Sequence, residues 1–259
     1  MSTETVESPA ESQTGFGKTD RKDNWWVGPL LTALGLGAFV VYSTFRAIYN
    51  KDYVVEWAGW GEMLSPFYSP LLVLPFLPSW ISPAFLILWA PGGFRVTCYY
   101  YRKAYYRAFF ADPAACAVGE ARGHKYKGET FVLLFQNLHR YFLYFALAFL
   151  VILSIDTIRT MIGPDGFQVT VGTLVLAMNT TLLSLYTFSC HSLRHLIGGK
   201  IDCFSCVAFG NSRHKMWKGV SRLNENHMLW AWLSLFGVGF TDFYVWMVAS
   251  GRITDFKII

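Results

Sequence analysis

The chain has 259 residues, of which 53% are hydrophobic, 18% aromatic and only 15% charged, and its mean hydropathy is +0.32. This composition is too apolar for an ordinary soluble domain and predicts a membrane protein. The formal charge of +5 therefore indicates basic cytoplasmic loops rather than a nucleic-acid partner. The five cysteines match no secreted disulfide framework, which favours reduced thiols or metal ligands.

The predicted fold is an all-α integral membrane protein, a bundle of five transmembrane helices. Residues 1–24 are polar and predict a disordered tail, whereas residues 25–259 form the membrane domain. Each apolar stretch of this domain is long enough to cross a hydrocarbon core of about 30 Å. The predicted spans are 25–49, 82–105, 131–155, 169–196 and 226–249.

Basic residues follow the second and the fourth predicted spans. They are Arg95, Arg102, Lys103, Arg107, Arg122, Lys125 and Lys127 in the first loop, and Arg194, Lys200, Arg213, Lys215, Lys218 and Arg222 in the second. By the positive-inside rule both loops are cytoplasmic, so the N-terminus lies inside and the C-terminus outside. The proline-rich stretch 50–80 is then external, with the alternative that residues 65–80 re-enter the membrane. The sequence Gly163-Pro164-Asp165-Gly166 predicts an external turn.

Two histidines and three cysteines crowd into residues 189–206, SCHSLRHLIGGKIDCFSC. His191 and His195 are four residues apart, so they share one face of a helix and can hold one metal ion. Cys203 and Cys206 form a C-x-x-C pair, which is a metal or redox signal of moderate specificity. The alternative is that such histidines bond between helices and that such cysteines pack as small hydrophobic residues.

Potential metal ligands from four predicted helices lie at one depth, the cytoplasmic third of the membrane. The candidates are Cys98, His139, Cys190, His191, His195 and His227, with Cys116 joining them only if its loop folds back. Two imidazoles could hold a haem b, whereas two imidazoles and two thiolates could hold a Rieske-type [2Fe-2S] cluster. The thiolates beside the imidazoles favour the cluster. Zinc could use the same atoms, but nothing in zinc chemistry calls for a site inside a membrane.

Four segments carry a resemblance to a known family: FRVTCYYYRKAYYRAFF, QNLHRYF, SCHSLRHLIGG and SRLNENHMLWAW. With the predicted helix pattern, they resemble the membrane-anchor subunit of actinobacterial succinate dehydrogenase, respiratory complex II, from about residue 25 to the C-terminus. The resemblance implies a multi-pass protein of the bacterial cytoplasmic membrane that docks a flavoprotein and an iron–sulfur subunit and passes electrons from succinate to a quinone. Most such anchors carry haem b, and one branch carries a Rieske-type cluster. The chain would not be catalytic alone.

Arg140, Tyr144 and Trp230 lie near the predicted ligands and are predicted to bind the quinone, with an outer alternative at Asp156, Arg159 and Asp242. On this interpretation alanine at His191 and His195 abolishes quinone reduction but not succinate oxidation by soluble dyes. The expected partners also include membrane lipid, and a higher oligomer of the complex stays open. The alternative functions are a haem b anchor of succinate dehydrogenase or fumarate reductase and a cofactor-free structural anchor.

Overall fold

The computed structural model describes residues 15–56, 62–76, 78, 81–120, 135–163, 166–199 and 201–259. The helices of these parts are α1 (Val27–Tyr49), α2 (Pro83–Val96), α3 (Tyr99–Tyr105), α4 (His139–Arg159), α5 (Val171–Phe188), α6 (His191–Gly198), α7 (Gly210–Asn224) and α8 (His227–Ala249). A π-helical turn, Tyr106–Phe110, follows α3, and a 3₁₀ turn, Phe204–Cys206, precedes α7. Two antiparallel hairpins pair β1 (Val54–Glu56) with β2 (Glu62–Leu64), and β3 (Ile162–Gly163) with β4 (Gly166–Phe167).

The chain divides into two compact units. One contains Met1–Ala38 and Thr97–Asn137, and the other contains Phe39–Val96 and Leu138–Ile259. The second unit holds α2, α4, α5, α6, α7 and α8, and it contains nearly all of the side chains discussed below.

The predicted helical membrane architecture is confirmed, but the count of five long helices is wrong. Among the described residues, four helices are long and apolar enough to cross a membrane, namely α1, α4, α5 and α8. The predicted span 82–105 is instead two helices, α2 of 14 residues and α3 of 7. The chain breaks because Cys98 adopts an extended conformation, with ψ of 134°. Helix α2 is thus about 21 Å long, shorter than a hydrocarbon core.

The predicted span 169–196 breaks in the same way. Helix α5 ends at Phe188, and Cys190 is extended, with ψ of 136°, before α6 begins. Asn224 Nδ2 donates a hydrogen bond of 2.7 Å to the carbonyl of Ser189, which the end of α5 leaves without a helical partner. The Cys190 thiol accepts a hydrogen bond of 3.3 Å from the backbone N–H of Ser192 and so caps α6. Cys98 and Cys190 therefore each occupy the N-cap of a helix that follows a break.

The loop after β2 is buried although it is not helical. Residues 63–69 pack into the bundle, and Ser65, Tyr68 and Ser69 are all 0% exposed. The loop contacts α1, α2 and α8 through Ala47, Ala84 and Val238 in one apolar cluster. Of the predicted re-entrant stretch 65–80, residues 65–69 follow this path, whereas residues 71–76 are exposed.

A buried ion pair holds this loop in place. Arg46 on α1 and Asp242 on α8 are both 0% exposed, and Arg46 Nε donates to Asp242 Oδ2 at 2.8 Å. The hydroxyl groups of Tyr42 and Ser65 also donate to Asp242. The hydroxyl of Tyr68 donates to the Arg46 carbonyl at 2.7 Å. One carboxylate therefore joins two helices and the buried loop.

Helix α2 packs closely against α4 at Gly93, whereas the adjacent Gly92 has open space around it. A Cβ atom added at Gly93 would lie 2.2 Å from the Phe142 ring, whereas one added at Gly92 would meet nothing within 4 Å. We expect Gly93→Ala to cost about 1–3 kcal/mol of stability through overpacking. Gly92→Ala should be neutral or slightly stabilising, since alanine favours helix. Thermal unfolding of the purified complex checks both variants, and equal midpoints would contradict the packing described here.

Several predictions fall on residues outside the described ranges. These are residues 1–14 of the tail, residues 131–134 of the third span, the basic residues Arg122, Lys125, Lys127 and Lys200, and Pro164-Asp165 of the turn. Within the rest of the predicted tail, Gly17 and Lys18 exchange backbone hydrogen bonds with Gly119. Arg21 donates to the Cys116 carbonyl at 2.9 Å. The segment before α1 is thus attached to the loop around Cys116.

Candidate functional site

The structure brings together two of the predicted ligands, His139 at the start of α4 and Cys190 at the break between α5 and α6. His139 Nε2 lies 3.1 Å from Cys190 Sγ. The cysteine is 0% exposed and the histidine 9%. The Phe94 ring stacks on the imidazole at 4.5 Å, with 4° between the two planes. A nitrogen and a sulfur donor thus meet in a nearly dry environment, which is the donor pair of many iron and zinc sites.

A second buried imidazole lies on the same side of the bundle. His227, the first residue of α8, is 3% exposed, and its Nδ1 lies 2.6 Å from the Ser189 hydroxyl. Its ring stacks on Tyr186 at 5.1 Å, and Tyr186 in turn meets Phe94 edge to face at 5.3 Å. The rings of His139 and His227 are close enough to interact electrostatically. The rings of Phe94 and Tyr186 therefore each cover one face of a histidine ring.

The partners of these histidines suit a metal-binding role. The Ser189 hydroxyl holds one nitrogen of His227, and the backbone of Phe94 makes a hydrogen bond with the ring of His139. Histidines that ligate metals usually have their other nitrogen held in this way. Within the described ranges, no three His, Cys, Asp or Glu side chains form a group that could hold a metal ion. The fit to a metal group therefore rests on the His139–Cys190 pair and the neighbouring His227.

His191 and His195 lie elsewhere. Both are exposed, and both line an open surface pocket of about 310 Å³ with Arg194, Gly198, Gly199 and Trp217. They share one face of α6, as their spacing predicted. His191 interacts electrostatically with His227, and His195 lies one turn further along the helix. The structure thus sets this pair on the surface and the pair His139 and His227 in the interior.

The remaining cysteines fall into three environments. Cys98 is buried, at 2% exposure, and Cys116 is exposed; both belong to the unit that contains Thr97–Asn137. Cys203 and Cys206 form a disulfide bond, so in this structure they are neither the reduced thiols nor the metal ligands that the sequence favoured. Among the described residues, the buried cysteines outside a disulfide bond are Cys98 and Cys190.

The three predicted quinone-binding residues differ in exposure. Arg140 and Tyr144 are exposed on α4, with Tyr144 at 55%. Trp230 is half-buried on α8, and its Nε1 atom has no hydrogen-bond partner in the described part of the chain. Trp230 thus offers a buried donor, while Arg140 and Tyr144 offer surface donors at the same end of α4 as His139.

Sequence reasoning missed a cavity in the middle of the bundle. It has a volume of about 180 Å³ and is bounded by α1, α2, α4, α5, α8 and the buried loop. Its lining is mainly apolar, and Arg95 and Tyr186 bring polar groups to one end. Arg95 was assigned to a cytoplasmic loop, but it lies within the bundle, donates to Ser234 Oγ at 3.2 Å and places its guanidinium 4.9 Å from the Tyr186 ring centre. Pro91 and Gly92, inside α2, line this space and are the sequence signal that accompanies it.

Comparisons with known proteins identify the family and a chain of similar fold. The family model described as actinobacterial succinate dehydrogenase subunit SdhC matches residues 27–251. A chain of the solved structure "Mycobacterium smegmatis Sdh1 complex in the apo form" is 42% identical, with a TM-score of 0.84 over 97% of this chain and 98% of that chain. Among curated proteins, a sequence search finds no match.

Proposed function

The chain belongs to the actinobacterial succinate dehydrogenase SdhC family, and we propose that it anchors a flavoprotein and an iron–sulfur subunit and passes their electrons to a membrane quinone. As a family member it is a multi-pass membrane subunit of a succinate:quinone oxidoreductase and is not catalytic alone. The observation that carries the proposal is the buried His139–Cys190 pair beside His227 at one end of the bundle.

The cofactor that these donors suit best is a Rieske-type [2Fe-2S] cluster, which takes two imidazoles and two thiolates. His139, His227 and Cys190 would supply three of the ligands, and Cys98 and Cys116 are the candidates for the second thiolate. When bound, such a cluster supplies one-electron transfer between the partner's iron–sulfur centres and the quinone. The chain's own contribution is to fix the rings through Ser189 and the Phe94 backbone.

The quinone would bind close to this site. Its two carbonyl oxygens need hydrogen-bond donors, and its ring needs an apolar slot. Trp230 Nε1 is a buried donor with no partner among the described residues, and Arg140 and Tyr144 offer donors on the surface. These observations support a quinone site at the His139 end of the bundle.

The course of α2 bears on the membrane topology of the chain. Ala84, in the first turn of this helix, packs with Ala47 near the end of α1, and Phe94, in its last turn, stacks on His139. Helix α2 therefore connects the two ends of the bundle in spite of its length. By the positive-inside rule, the basic residues that follow α2 and those of α7 support a cytoplasmic N-terminus and an external C-terminus.

Helix α7 supplies a basic surface for a partner. Lys215, Lys218 and Arg222 are exposed on it. Arg194 anchors α6 against α7, because its Nε donates to Ser221 Oγ at 2.8 Å. We infer that this surface contacts acidic groups of the iron–sulfur subunit, for which charge complementarity would set orientation and association rate.

The proposal predicts a clear division of activities. The complex purified through a tagged flavoprotein should reduce quinone with succinate. The same two soluble subunits, produced without this chain, should reduce a soluble dye at an unchanged rate but should not reduce quinone. Quinone reduction that persists without the chain would contradict its role in electron transfer.

A further inference from the structure

Two buried carboxyl groups lie at the end of the bundle opposite the His139–Cys190 pair. Asp156 on α4 is 8% exposed, and Asp242 on α8 is 0% exposed. Asp156 is about 25 Å from His139 along the helix axis. Ionisable residues at such positions are costly in a membrane and often belong to ion or proton routes. The site described above uses neither of them.

Asp242 belongs to the buried ion pair with Arg46. The Arg46 guanidinium pairs with it at 2.8 Å, and hydroxyl groups of Tyr42 and Ser65 donate to it. Loss of the negative charge on Asp242 would leave the buried guanidinium of Arg46 without a counter-charge. Asp242 therefore has a structural role.

Asp156 has a different environment. In the described residues its hydrogen bond comes from the hydroxyl of Ser69, in the buried loop. Arg159, one turn further along α4, pairs with Glu62 at 2.6 Å instead. A carboxyl group that is bound by a hydroxyl and not by a guanidinium can gain and lose a proton without breaking an ion pair.

Asp156 is also next to the solvent. The side chains of Arg159 and Glu62 are 39% and 28% exposed, and their charges both act on Asp156. The carboxyl group therefore lies directly beneath a surface ion pair. Protons can reach it from that face of the membrane.

On the inner side, the central cavity begins one helical turn from Asp156. Leu153 lines it, together with Pro66 and Phe67 of the loop that carries Ser69. The cavity extends to Arg95 and Tyr186, beside the two histidine rings. Its volume of about 180 Å³ exceeds the roughly 150 Å³ in which a protein cavity holds a benzene molecule.

A buried amide gives independent evidence of a polar path. Asn179 on α5 is 0% exposed, and neither of its side-chain atoms has a hydrogen-bond partner in the described residues. On the helix it lies between Leu176, which packs on Met63 near the loop, and Leu183, which lines the cavity. Buried amides without protein partners typically bind internal water. The Asn179 amide therefore places a polar group on α5 between the buried loop and the cavity.

We propose that Asp156 relays protons from the membrane face opposite the His139–Cys190 site into the cavity for quinone reduction. The inference rests on the proposed quinone reduction. Succinate oxidation in the complex supplies two electrons, and the quinone takes up these electrons and two protons to become a quinol. Each proton enters beside Glu62 and Arg159, binds the Asp156 carboxylate and passes inward. The carboxylate is then reprotonated from the surface.

The test uses the whole complex in liposomes, with the succinate site outward and the Asp156 face toward the lumen. A pH-sensitive dye in the lumen follows protons, while valinomycin with potassium prevents a membrane potential. We expect succinate and a short-chain quinone to make the lumen alkaline. Asp156→Asn should abolish this change and slow quinone reduction about tenfold or more, while reduction of a soluble dye stays unchanged.

Two variants control the charge and the fold. Asp255→Asn removes a carboxylate that binds Gly172 and Tyr244 at the same end of the bundle, and it should behave like the parent chain. Asp156→Glu should restore lumen alkalinisation. A lumen that stays at constant pH while the parent complex reduces quinone would overturn the relay, as would normal alkalinisation with Asp156→Asn. A parent complex that reduces only the soluble dye would instead overturn the proposed function.

Discussion

Alanine at His139 should reduce succinate-dependent quinone reduction to background. His139 Nε2 lies 3.1 Å from the Cys190 thiol in a nearly dry environment, so its loss removes one of the imidazoles proposed to hold the metal group. Succinate oxidation by a soluble dye should stay unchanged, because that reaction uses the partner subunits. Iron content and both activities of the purified complex are the measurements.

The exposed pair His191 and His195 supplies the matched control. Alanine at both positions removes two imidazoles from α6 without opening the interior, so iron and quinone reduction should be retained. Loss of activity in this double variant, with retention in His139→Ala, would transfer the ligand role to α6. Cys98→Ser and Cys116→Ser then identify the second thiolate by the same measurements.

The second large effect concerns the Arg46–Asp242 pair. Asp242→Leu leaves the buried guanidinium without its carboxylate, and we expect a loss of about 3–5 kcal/mol of stability. The variant should accumulate poorly in the membrane, because the ion pair also holds the buried loop through Ser65. The amount of assembled complex and its thermal midpoint check this expectation.

The double variant Arg46→Met with Asp242→Leu separates charge from packing. Replacing both members of a buried ion pair by apolar groups is often neutral or stabilising, so this protein should recover much of the lost stability. A single Asp242→Leu variant as stable as the parent would show that the pair does not hold the fold together.

Hydropathy was sufficient to predict the long helices. The spans predicted at 25–49 and 226–249 correspond closely to α1, Val27–Tyr49, and α8, His227–Ala249. The length of an apolar stretch predicts such a helix, because a chain in lipid must form its backbone hydrogen bonds within the helix. The breaks before α3 and α6 were not predictable from hydropathy. They occur at Thr97-Cys98 and Ser189-Cys190, small residues that interrupt no apolar run.

The sequence predicted that the candidate ligands share one depth in the membrane, but it did not predict which of them contact one another. Counting residues from the helix ends predicted His139, Cys190 and His227 at one depth, and in the structure the three residues lie near one another. Depth alone could not separate these residues from His191, since the break at Cys190 turns α6 and exposes the next side chain. The buried loop was predicted only as an alternative, a re-entrant stretch 65–80, because its prolines favour an external segment.

The most direct test of the proposed electron-transfer site is the electron paramagnetic resonance spectrum of the purified, reduced complex, recorded with its reduced-minus-oxidised optical spectrum. We expect a rhombic [2Fe-2S] signal that is absent from His139→Ala, and no haem bands. A b-type haem spectrum without that signal would contradict the Rieske-type centre and would make His139 and His227 candidates for haem ligands instead.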